Sequence, residues 1–253
     1  PRGVIDRVLG VEGDRFTQDS LMWGICGVLA EGLYDPALEK IRAYFGDDPR
    51  GAKMVSFSQT MARTYDEYLM YRPRLVASWE RGGDGGWQAE LWRRVVGILG
   101  SGHFADKALH FISTSDNGED PGYPIPPEIH VFGVSSMPPL QLEVFQAMSQ
   151  SSDITLYTVV PNEGHCAKEG AKDPQDQNPM LGALGSQSGE FQTLLEQICG
   201  GSDTQSIFSA VEPKTTILGA IQSDVKRGVT RRDRAQNKIQ PNDVDNSIEL
   251  HTC

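Results

Sequence analysis

Apolar residues in the first part of the chain recur every three to four positions, the spacing of amphipathic helices. Thr17 stands before the first such run as an N-cap, and Asp35-Pro36 begins a second helix in the same way. Pro73 is expected to stop the third and longest helix. Five helices are predicted, over residues 21–33, 36–44, 53–71, 88–99 and 103–113. Residues 1–115 are therefore predicted to form a helical subdomain.

The periodicity changes after residues 116–128, a polar and proline-rich stretch that is predicted to be a linker. Two short apolar runs, at 129–134 and 154–160, suit strands buried on both faces, and a helical pattern over 138–149 separates them. This is a β-α-β unit of a parallel sheet, so the predicted fold class is α/β with a large all-helical insertion. The remaining segments are an α/β segment over 129–224, with helices at 191–198 and 216–224, a charged linker over 225–246 and the start of a further segment at 247–253.

Composition narrows the class of protein. Hydrophobic residues make up 38% of the 253 positions, and no apolar run approaches the roughly 20 residues of a membrane span, so a soluble protein is expected. The four cysteines are scattered without a Cys-x-x-Cys pair, which fits reduced thiols in a cytoplasm better than zinc or redox chemistry. The formal net charge of −11 disfavours a general nucleic-acid coat protein but leaves room for a local basic groove.

Both ends of the sequence suggest truncation. The first residue is Pro1 rather than Met, and no charged-then-apolar signal peptide follows it. Residues 247–253 alternate like a strand and then stop, which is an unusual place for a domain to finish. We therefore expect the chain to be a fragment of a longer protein.

The loop at 133–139 follows the first predicted strand, at the carboxyl edge where α/β proteins place their ligands. A nucleoside triphosphatase needs an acidic residue there for magnesium and a glycine-rich phosphate loop, and the sequence has neither. A serine hydrolase with Ser135 as nucleophile and His165 as base is a minor alternative, because Met137 replaces the last glycine of Gly-x-Ser-x-Gly. His165-Cys166 fits a solvated pair better than half a metal site. No complete active site is predicted.

A group of tyrosines and arginines surrounds the end of the third helix: Tyr65, Tyr68, Tyr71, Arg72 and Arg74. Aromatic rings interleaved with guanidinium groups are typical of channels that stack the bases and neutralise the phosphates of single strands. Spacing alone favours the alternative, an amphipathic helix that packs its tyrosines on a core.

Two other basic features are assigned to the solvated surface. One is a run that is predicted to belong to the charged linker, with phosphate contact as the alternative: Lys226, Arg227, Arg231, Arg232, Arg234 and Lys238. The other is Arg93-Arg94, which is predicted to be an ordinary exposed pair on a helix.

Several segments of the sequence resemble, in the same order, the gamma chain of bacterial exodeoxyribonuclease V, the RecC family. The main ones are 65–73 (YDEYLMYRP), 129–139 (IHVFGVSSMPP) and 178–195 (NPMLGALGSQSGEFQTLL). Supporting segments are 16–23 (FTQDSLMW), 46–51 (GDDPRG) and 87–92 (WQAELW). Each segment is short, but the resemblance extends over nearly the whole chain and the combination is specific.

This resemblance implies the fold of a superfamily 1 (RecA-like) helicase that has lost its nucleotide-binding residues, in agreement with the missing acidic strand end. It also implies a much longer protein that holds a RecB-like beta helicase-nuclease and a RecD-like alpha helicase together. Such a protein helps to split the duplex and guides the single strands through channels where the regulatory sequence Chi is sensed. ATP and Mg would be used by the partner subunits, and no cofactor is expected in this chain.

By resemblance, Asp66 and Arg72 occupy positions that line this channel, and Tyr71 and Arg74 are neighbouring candidates for DNA contact. An arginine can grip a phosphate or a base edge, and a carboxylate can accept a hydrogen bond from a base amine. The four residues are therefore the predicted DNA-binding residues.

The sequence departs from the family pattern at three places. Residues 161–170 read PNEGHCAKEG where the family has a different loop, and Phe104 stands where an arginine that contributes to Chi sensing is expected. Arg63-Thr64 replaces an acidic-aliphatic pair. Because of these departures, the sequence does not predict which Chi sequence the protein recognises.

The sequence is interpreted as a non-catalytic subunit segment of an ATP-dependent helicase-nuclease that processes double-strand ends for recombinational repair. Catalysis belongs to the partner subunits in this interpretation. The alternative is a structural scaffold that binds those subunits without touching DNA. Salt-sensitive contact of single strands with Tyr71 or Arg72 distinguishes the two, because phosphate contacts weaken as salt rises.

Overall fold

The computed structural model divides into two compact units. The first comprises Pro1–Ile129 and Pro138–Ile154, and the second His130–Met137 and Thr155–Cys253. The structure describes residues 2–11, 15–46, 51–119, 122, 124–163, 178–200, 205, 207, 216–236, 245 and 247–248. The helix after the first strand thus belongs to the helical unit, and the predicted domain boundaries stay predictions.

The described part of the first unit is helical, apart from its turns and the first residues of the strands. Its helices are α1 Arg2–Val8, α2 Gln18–Gly32, a 3-10 turn at Pro36–Leu38, α3 Glu39–Phe45, α4 Ala52–Tyr71, α5 Pro73–Glu80, α6 Gly86–Leu99, α7 Phe104–Asp116 and α8 Pro139–Met148. The five helices predicted over residues 1–115 are confirmed, as is the helix predicted between the strands.

Side-chain caps begin two of these helices where the sequence predicts them. Thr17 Oγ1 accepts a hydrogen bond from the backbone N–H of Ser20 at 3.2 Å, and Asp35 Oδ1 accepts one from Ala37 at 2.8 Å. Gly46 ends α3 at φ 62°, a left-handed conformation that costs glycine little and other residues more. The local sequence signals therefore fix these ends.

Pro73 ends α4 as predicted, and it also begins α5, a helix that the sequence pattern does not predict. A proline lacks the N–H that would continue α4, but at the first position of a helix that N–H has no intrahelical partner anyway. Arg72, at φ −134° and ψ 44°, is the single non-helical residue between the two helices. The result is a one-residue junction, which we call the Arg72 junction.

The core of the first unit is aromatic. Trp92 of α6 and Tyr65 of α4 are completely buried, and their rings meet edge to face with centroids 5.0 Å apart. Phe16, just before α2, lies 5.9 Å from the Trp92 ring and 5.2 Å from the ring of His103, centroid to centroid. Large rings in such contacts remove much apolar surface from water, so this cluster joins α2, α4, α6 and the start of α7.

The strands β1 (Glu128–Val134) and β2 (Asp153–Thr158) pair in a two-stranded parallel sheet. Along β1, Ile129 and Val131 are buried, whereas His130 and Phe132 are exposed, Phe132 to 69%. Phe132 stacks face to face on Tyr157 of β2, with ring centroids 4.1 Å apart. The prediction of strands buried on both faces is therefore wrong. A continuous apolar run in the sequence does not show whether a face of the sheet is covered by another element or is exposed with its aromatic rings packed on each other.

The described helices of the second unit are α9 Pro179–Leu184, α10 Ser186–Cys199, α11 Ile217–Arg227 and α12 Arg231–Gln236. The helices predicted at 191–198 and 216–224 are confirmed. Asn178 caps α9 by accepting from the backbone N–H groups of Met180 and Leu181. Its Nδ2 donates to the carbonyl of Val229 at 2.9 Å, which ties α9 to the segment after α11.

Part of the segment predicted as a charged linker, 225–246, is helical, because α11 continues to Arg227 and α12 follows, and the linker assignment itself stays a prediction. Thr230 and Asp233 form a reciprocal cap for α12: the N–H of Thr230 donates to Asp233 Oδ2 and the N–H of Asp233 donates to Thr230 Oγ1, both at 3.1 Å. Charged residues are compatible with a helix once its first turn is capped. Residues 237–244 and 246 lie outside the described residues.

Candidate nucleic-acid interface

Tyr65 is a core residue rather than part of a binding surface. It is fully buried, and its hydroxyl donates a hydrogen bond to the carbonyl of Gln88 at 2.8 Å. Burial, with a smaller contribution from Tyr68, raises the pKa of Tyr65 far above its usual range. Tyr68 is half-buried, with its ring edge to face on Trp79 and centroids 5.8 Å apart. The core alternative is therefore confirmed for Tyr65.

Replacement of Tyr65 by phenylalanine is expected to lower the free energy of unfolding by about 0.5–1.5 kcal/mol, because the ring stays packed and only the hydrogen bond to Gln88 is removed. Urea denaturation followed by circular dichroism measures this change. Single-strand binding should not change, so a variant that binds DNA more weakly at full stability would contradict the core assignment.

Tyr71 and Arg72 lie at the exposed side of the Arg72 junction. Tyr71, the last residue of α4, is 60% exposed. The guanidinium carbon of Arg72 lies 5.3 Å from the centroid of the Tyr68 ring, within the range of a cation–π interaction. The Tyr68 ring restrains the guanidinium, while Arg72 as a whole stays exposed. An exposed guanidinium and an exposed phenol ring on consecutive residues are groups that can contact a phosphate and a base.

Arg74 is exposed but already has a partner. Its Nη1 and Nη2 donate to Oε1 and Oε2 of Glu143 on α8, at 3.2 and 2.7 Å. These hydrogen bonds raise the pKa of the Arg74 guanidinium. A bidentate pair of this kind neutralises the charge locally, so Arg74 would have to release Glu143 before it could bind a phosphate.

Asp66 is half-buried on α4 and accepts a hydrogen bond from Nε2 of Gln18 at 2.7 Å. A carboxylate accepts several hydrogen bonds, so this contact leaves Asp66 capacity for a further donor. The exposed face of α4 also carries Arg63, Glu67 and Tyr71 at intervals of four residues. Arg63 has no ion-pair partner among the described residues, and its spacing from Tyr71 is the signal that marks it as an additional candidate.

Several of the basic residues that were predicted to lie on the solvated surface have acidic partners in the structure. Lys226 lies 3.5 Å from Glu163, Arg234 pairs with Asp224, and Lys238 lies outside the described residues. The prediction that Arg93-Arg94 is an ordinary exposed pair is wrong, because both side chains are half-buried and cross-link other elements.

The contacts of these two arginines are specific. Arg94 Nη2 lies 2.7 Å from Asp35, and its Nε lies 2.7 Å from Glu90. Arg93 donates to the carbonyl of Trp79 at 3.1 Å and to Glu90 at 3.0 Å. Hydrogen bonds from Arg94 and then Arg93 lower the pKa of Glu90. Helical spacing shows that Glu90 and Arg94 are neighbours, but it does not reveal the partners on other elements.

A partly buried polar network connects α5, α6 and the start of α7, and the sequence gives no sign of it. Glu80 Oε1 accepts from Trp92 Nε1 and faces His103 Nε2, each at 2.8 Å. His103 Nδ1 accepts from the backbone N–H of Asp106, so Nε2 is the ring nitrogen that donates to Glu80. Burial opposes the charge of Glu80, but the hydrogen bonds from His103 and Trp92 outweigh it and lower the pKa of that carboxyl.

The structure describes only some of the residues of the minor alternative, a serine hydrolase. Ser135 and Ser136 are exposed after β1, whereas His165 and Cys166 lie outside the described residues. Within the described ranges, no group of three or more His, Cys, Asp or Glu side chains is arranged to hold a metal ion.

The sequence model of one protein family, described as RecC, N-terminal domain, matches residues 2–227. The chain belongs to this family. The matched region includes the Arg72 junction, both strands and α9 to α11. The resemblance to RecC drawn from the short motifs is thereby confirmed.

The RecC-family chain also matches curated proteins. It is 24% identical over 298 residues to the RecBCD enzyme subunit RecC of Escherichia coli (strain K12). The aligned region covers 94% of this chain and 26% of that protein. The RecBCD enzyme subunit RecC of Mycolicibacterium smegmatis is 23% identical over 275 residues, or 100% of this chain and 24% of that protein. The RecC-family chain thus spans about a quarter of the length of these relatives. None of the helices that the structure describes is long and apolar enough to cross a membrane.

Proposed function

We propose that this RecC-family chain is a non-catalytic segment of a RecC subunit in an ATP-dependent helicase-nuclease, the RecBCD (exodeoxyribonuclease V) type of enzyme, which processes DNA double-strand ends for repair. Family membership and the relatives' description as RecBCD subunits support the assignment. The parallel β1 and β2 joined through α8 are compatible with a degenerate superfamily 1 helicase domain, which is part of the proposal.

The observation that carries the DNA contact is the position of Arg72. Its guanidinium carbon lies 5.3 Å from the centroid of the Tyr68 ring, and the residue before it in the chain, Tyr71, is 60% exposed, in a chain whose net charge is −11. Because long-range attraction to phosphate is weak for an acidic chain, contact depends on a few cations that are exposed and fixed in place. Arg72 meets this requirement, and Arg74 does not while it is bound to Glu143.

In this proposal a single strand passes along the exposed face of α4. Arg72 contacts a phosphate or base edge, Tyr71 stacks on a base and Asp66 accepts from a base amine, which is the chemistry that Chi sensing requires. RecB-like and RecD-like partner subunits supply the helicase and nuclease activities and use ATP and Mg. This chain positions the strand.

Replacement of Arg72 by alanine is expected to weaken binding of a fluorescent 20-nucleotide single strand about five- to tenfold at low salt. The plot of log affinity against log salt should become shallower by roughly 0.7 for each phosphate that the variant no longer binds. Fluorescence anisotropy over a salt series measures both quantities. Tyr71→Ala should weaken binding by a factor that depends little on salt, since this substitution removes stacking rather than an ionic interaction.

Arg42→Ala is the matched control, because Arg42 is another arginine of the same unit whose contact with Glu39 is a long 3.8 Å. It should leave affinity and salt dependence unchanged. The net charge of −11 and the Arg74–Glu143 pair favour a second candidate function, a scaffold that binds the partner subunits without DNA contact. Equal effects of Arg72→Ala and Arg42→Ala would support the scaffold and contradict the proposal.

A further inference from the structure

Lys53, in the first turn of α4, is restrained in the same way as Arg72, which follows the other end of this helix. The Nζ of Lys53 lies 5.6 Å from the centroid of the Tyr44 ring of α3. The guanidinium carbon of Arg72 lies 5.3 Å from the centroid of the Tyr68 ring. Both distances are within the range of about 6 Å over which an aromatic face attracts a cation. Each end of α4 therefore carries a cation that an aromatic ring restrains.

Lys53 and Arg72 also share their exposure and their lack of an ion pair. Both residues are exposed, and neither has an ion-pair partner among the described residues. Arg2 lies over an aromatic ring too, but it is ion-paired with Asp6 at 3.2 Å. Arg63 is exposed, but it has no ring contact within the described part of the chain. In a chain with a net charge of −11, Lys53 thus meets the same requirement for phosphate contact as Arg72 does.

The Tyr44 ring that restrains Lys53 is itself fixed by packing. Its centroid lies 5.7 Å from that of Phe45 and 5.8 Å from that of Phe57 on α4. Phe45 is almost completely buried, whereas Tyr44 is 58% exposed. Contacts between aromatic rings have preferred geometries, so they orient the Tyr44 ring. Tyr44 thus connects the apolar interior of the unit to the surface on which Lys53 lies.

Lys53 and Tyr71 lie on the same side of α4. They are 18 positions apart, which is five turns of 3.6 residues and roughly 27 Å along the axis. Thr60, Thr64 and Glu67 lie between them on this side, and we call this row of five residues the α4 line. The two threonine hydroxyls donate to carbonyls of their own helix at 3.0 Å. Because Glu67 repels a phosphate, favourable contacts with phosphates are expected at the two ends of the α4 line.

We propose that Lys53 is a second phosphate contact for the single strand that Arg72 binds, and that Tyr44 positions Lys53 for this contact. The strand then follows the α4 line from one cation to the other. At the rise of roughly 3.4 Å per nucleotide of a stacked strand, about 27 Å corresponds to about eight nucleotides, and an unstacked strand needs fewer. This proposal rests on the proposed function in one respect, that a single strand contacts Arg72.

The spacing of the two cations favours a nucleic-acid strand over an acidic peptide. A strand carries a phosphate at every nucleotide, so a phosphate can meet each cation in any register. An acidic peptide needs carboxylates at two particular positions about 27 Å apart. The exposed ring of Tyr71, the residue before Arg72 in the chain, also gives a base a surface on which to stack. Single-stranded DNA is therefore the ligand of the α4 line in this proposal.

Strand length tests the proposal, because only a strand that spans the α4 line reaches both cations. The 253-residue chain or a variant is titrated into fluorescein-labelled oligothymidylates of 4 and 16 nucleotides at low salt, and the anisotropy is recorded. We expect Lys53→Ala to weaken binding of the 16-nucleotide strand about fivefold or more and binding of the 4-nucleotide strand less than about twofold. For the long strand, the plot of log affinity against log salt should become shallower by roughly 0.7, the contribution of one phosphate.

Lys53→Arg and Arg42→Ala are the matched controls. Lys53→Arg keeps a cation near the Tyr44 ring and should retain the wild-type affinity for both strands. Arg42 lies two positions before Tyr44 on α3 and is therefore turned about 160° away from it, so Arg42→Ala should change neither affinity. Lys53 is exposed, and melting curves should show that its variants are folded.

The outcomes separate this proposal from the proposed function. A loss of affinity for the long strand with Arg72→Ala but not with Lys53→Ala overturns the role of Lys53 and leaves the proposed function standing. Equal weakening of both strands by Lys53→Ala also overturns the proposal, because it indicates an isolated contact rather than a strand that spans the α4 line. A chain whose binding changes with neither substitution contradicts both.

Tyr44 has a test of its own as a positioning residue. Tyr44→Ala removes the ring that restrains Lys53 and should weaken binding of the long strand about two- to fivefold, whereas Tyr44→Phe keeps the ring and should retain the wild-type affinity. In a chain that already carries Lys53→Ala, Tyr44→Ala should have no further effect. A further loss in that chain, or a loss with Tyr44→Phe, would show that Tyr44 does not act through Lys53 and would overturn its positioning role.

Discussion

Replacement of Trp92 by alanine is expected to lower the free energy of unfolding of the helical unit by about 3–5 kcal/mol. The Trp92 side chain is completely buried, and its ring contacts Tyr65, Phe16 and His103 at centroid distances of 5.0, 5.9 and 5.7 Å. Alanine would leave a large cavity among these rings and would remove the hydrogen bond to Glu80. Urea denaturation followed by far-ultraviolet circular dichroism measures the change.

Trp23 provides a matched control for this experiment, since it is the same residue type in the same unit but is 66% exposed. Trp23→Ala should change the free energy of unfolding by no more than about 0.5 kcal/mol. A decrease of less than about 1 kcal/mol for Trp92→Ala would contradict an aromatic core shared by α2, α4, α6 and α7.

Replacement of Glu80 by alanine is expected to lower the free energy of unfolding by about 2–5 kcal/mol, since the half-buried carboxylate is the shared acceptor of two buried donors. The substitution leaves Trp92 Nε1 and His103 Nε2 without their acceptor, and each buried unsatisfied donor costs about 1–3 kcal/mol. Glu80→Gln keeps an oxygen in place and should cost less. Glu67→Ala on the exposed face of α4 is the control, with an expected change near zero.

The same network makes stability depend on pH. The hydrogen bonds from His103 and Trp92 outweigh burial and hold the pKa of Glu80 below its ordinary value of 4.5. A group whose pKa is lowered by folding contributes stability above its unfolded pKa and loses it as pH falls through the folded pKa. Between pH 7 and pH 3, the wild type should therefore lose more stability than Glu80→Gln does. Parallel curves for the two proteins would show that Glu80 ionisation does not stabilise the fold.

The sequence predicts the helices well because their signals are local. Thr17 and Asp35 cap their own helices, and apolar spacing over α4 and α7 identifies a buried face without knowledge of its partner. Pro73 shows the limit of such signals, since a proline that ends one helix can also begin the next. The bounds of α5 thus depend on a residue with two possible roles.

Features that depend on distant residues could not be predicted in the same way. Asp35, the partner of Arg94, lies 59 residues away from it in the sequence. His103, the partner of Glu80, lies 23 residues away. The exposed ring of Phe132 depends on whether another element covers β1, which an apolar run does not show. Each of these errors concerns packing between elements rather than the elements themselves.

The candidate site was predicted as a set of residue types, and the structure separates its members. Tyr65 belongs to the core, Arg74 is paired with Glu143, and Tyr71 and Arg72 remain exposed at the junction. The helical spacing of the sequence placed all of them near the end of α4. It could not indicate that Arg72 is a non-helical residue between two helices. The DNA contacts themselves stay predictions.

The Arg72 junction has a mechanical consequence. α5 is a rod of eight residues, about 12 Å long, with the junction at one end and Glu80 at the other. The hydrogen bonds of Glu80 to Trp92 and His103 anchor the far end of this helix. We therefore expect a displacement of the exposed junction to be transmitted through α5 to contacts within the interior of the helical unit.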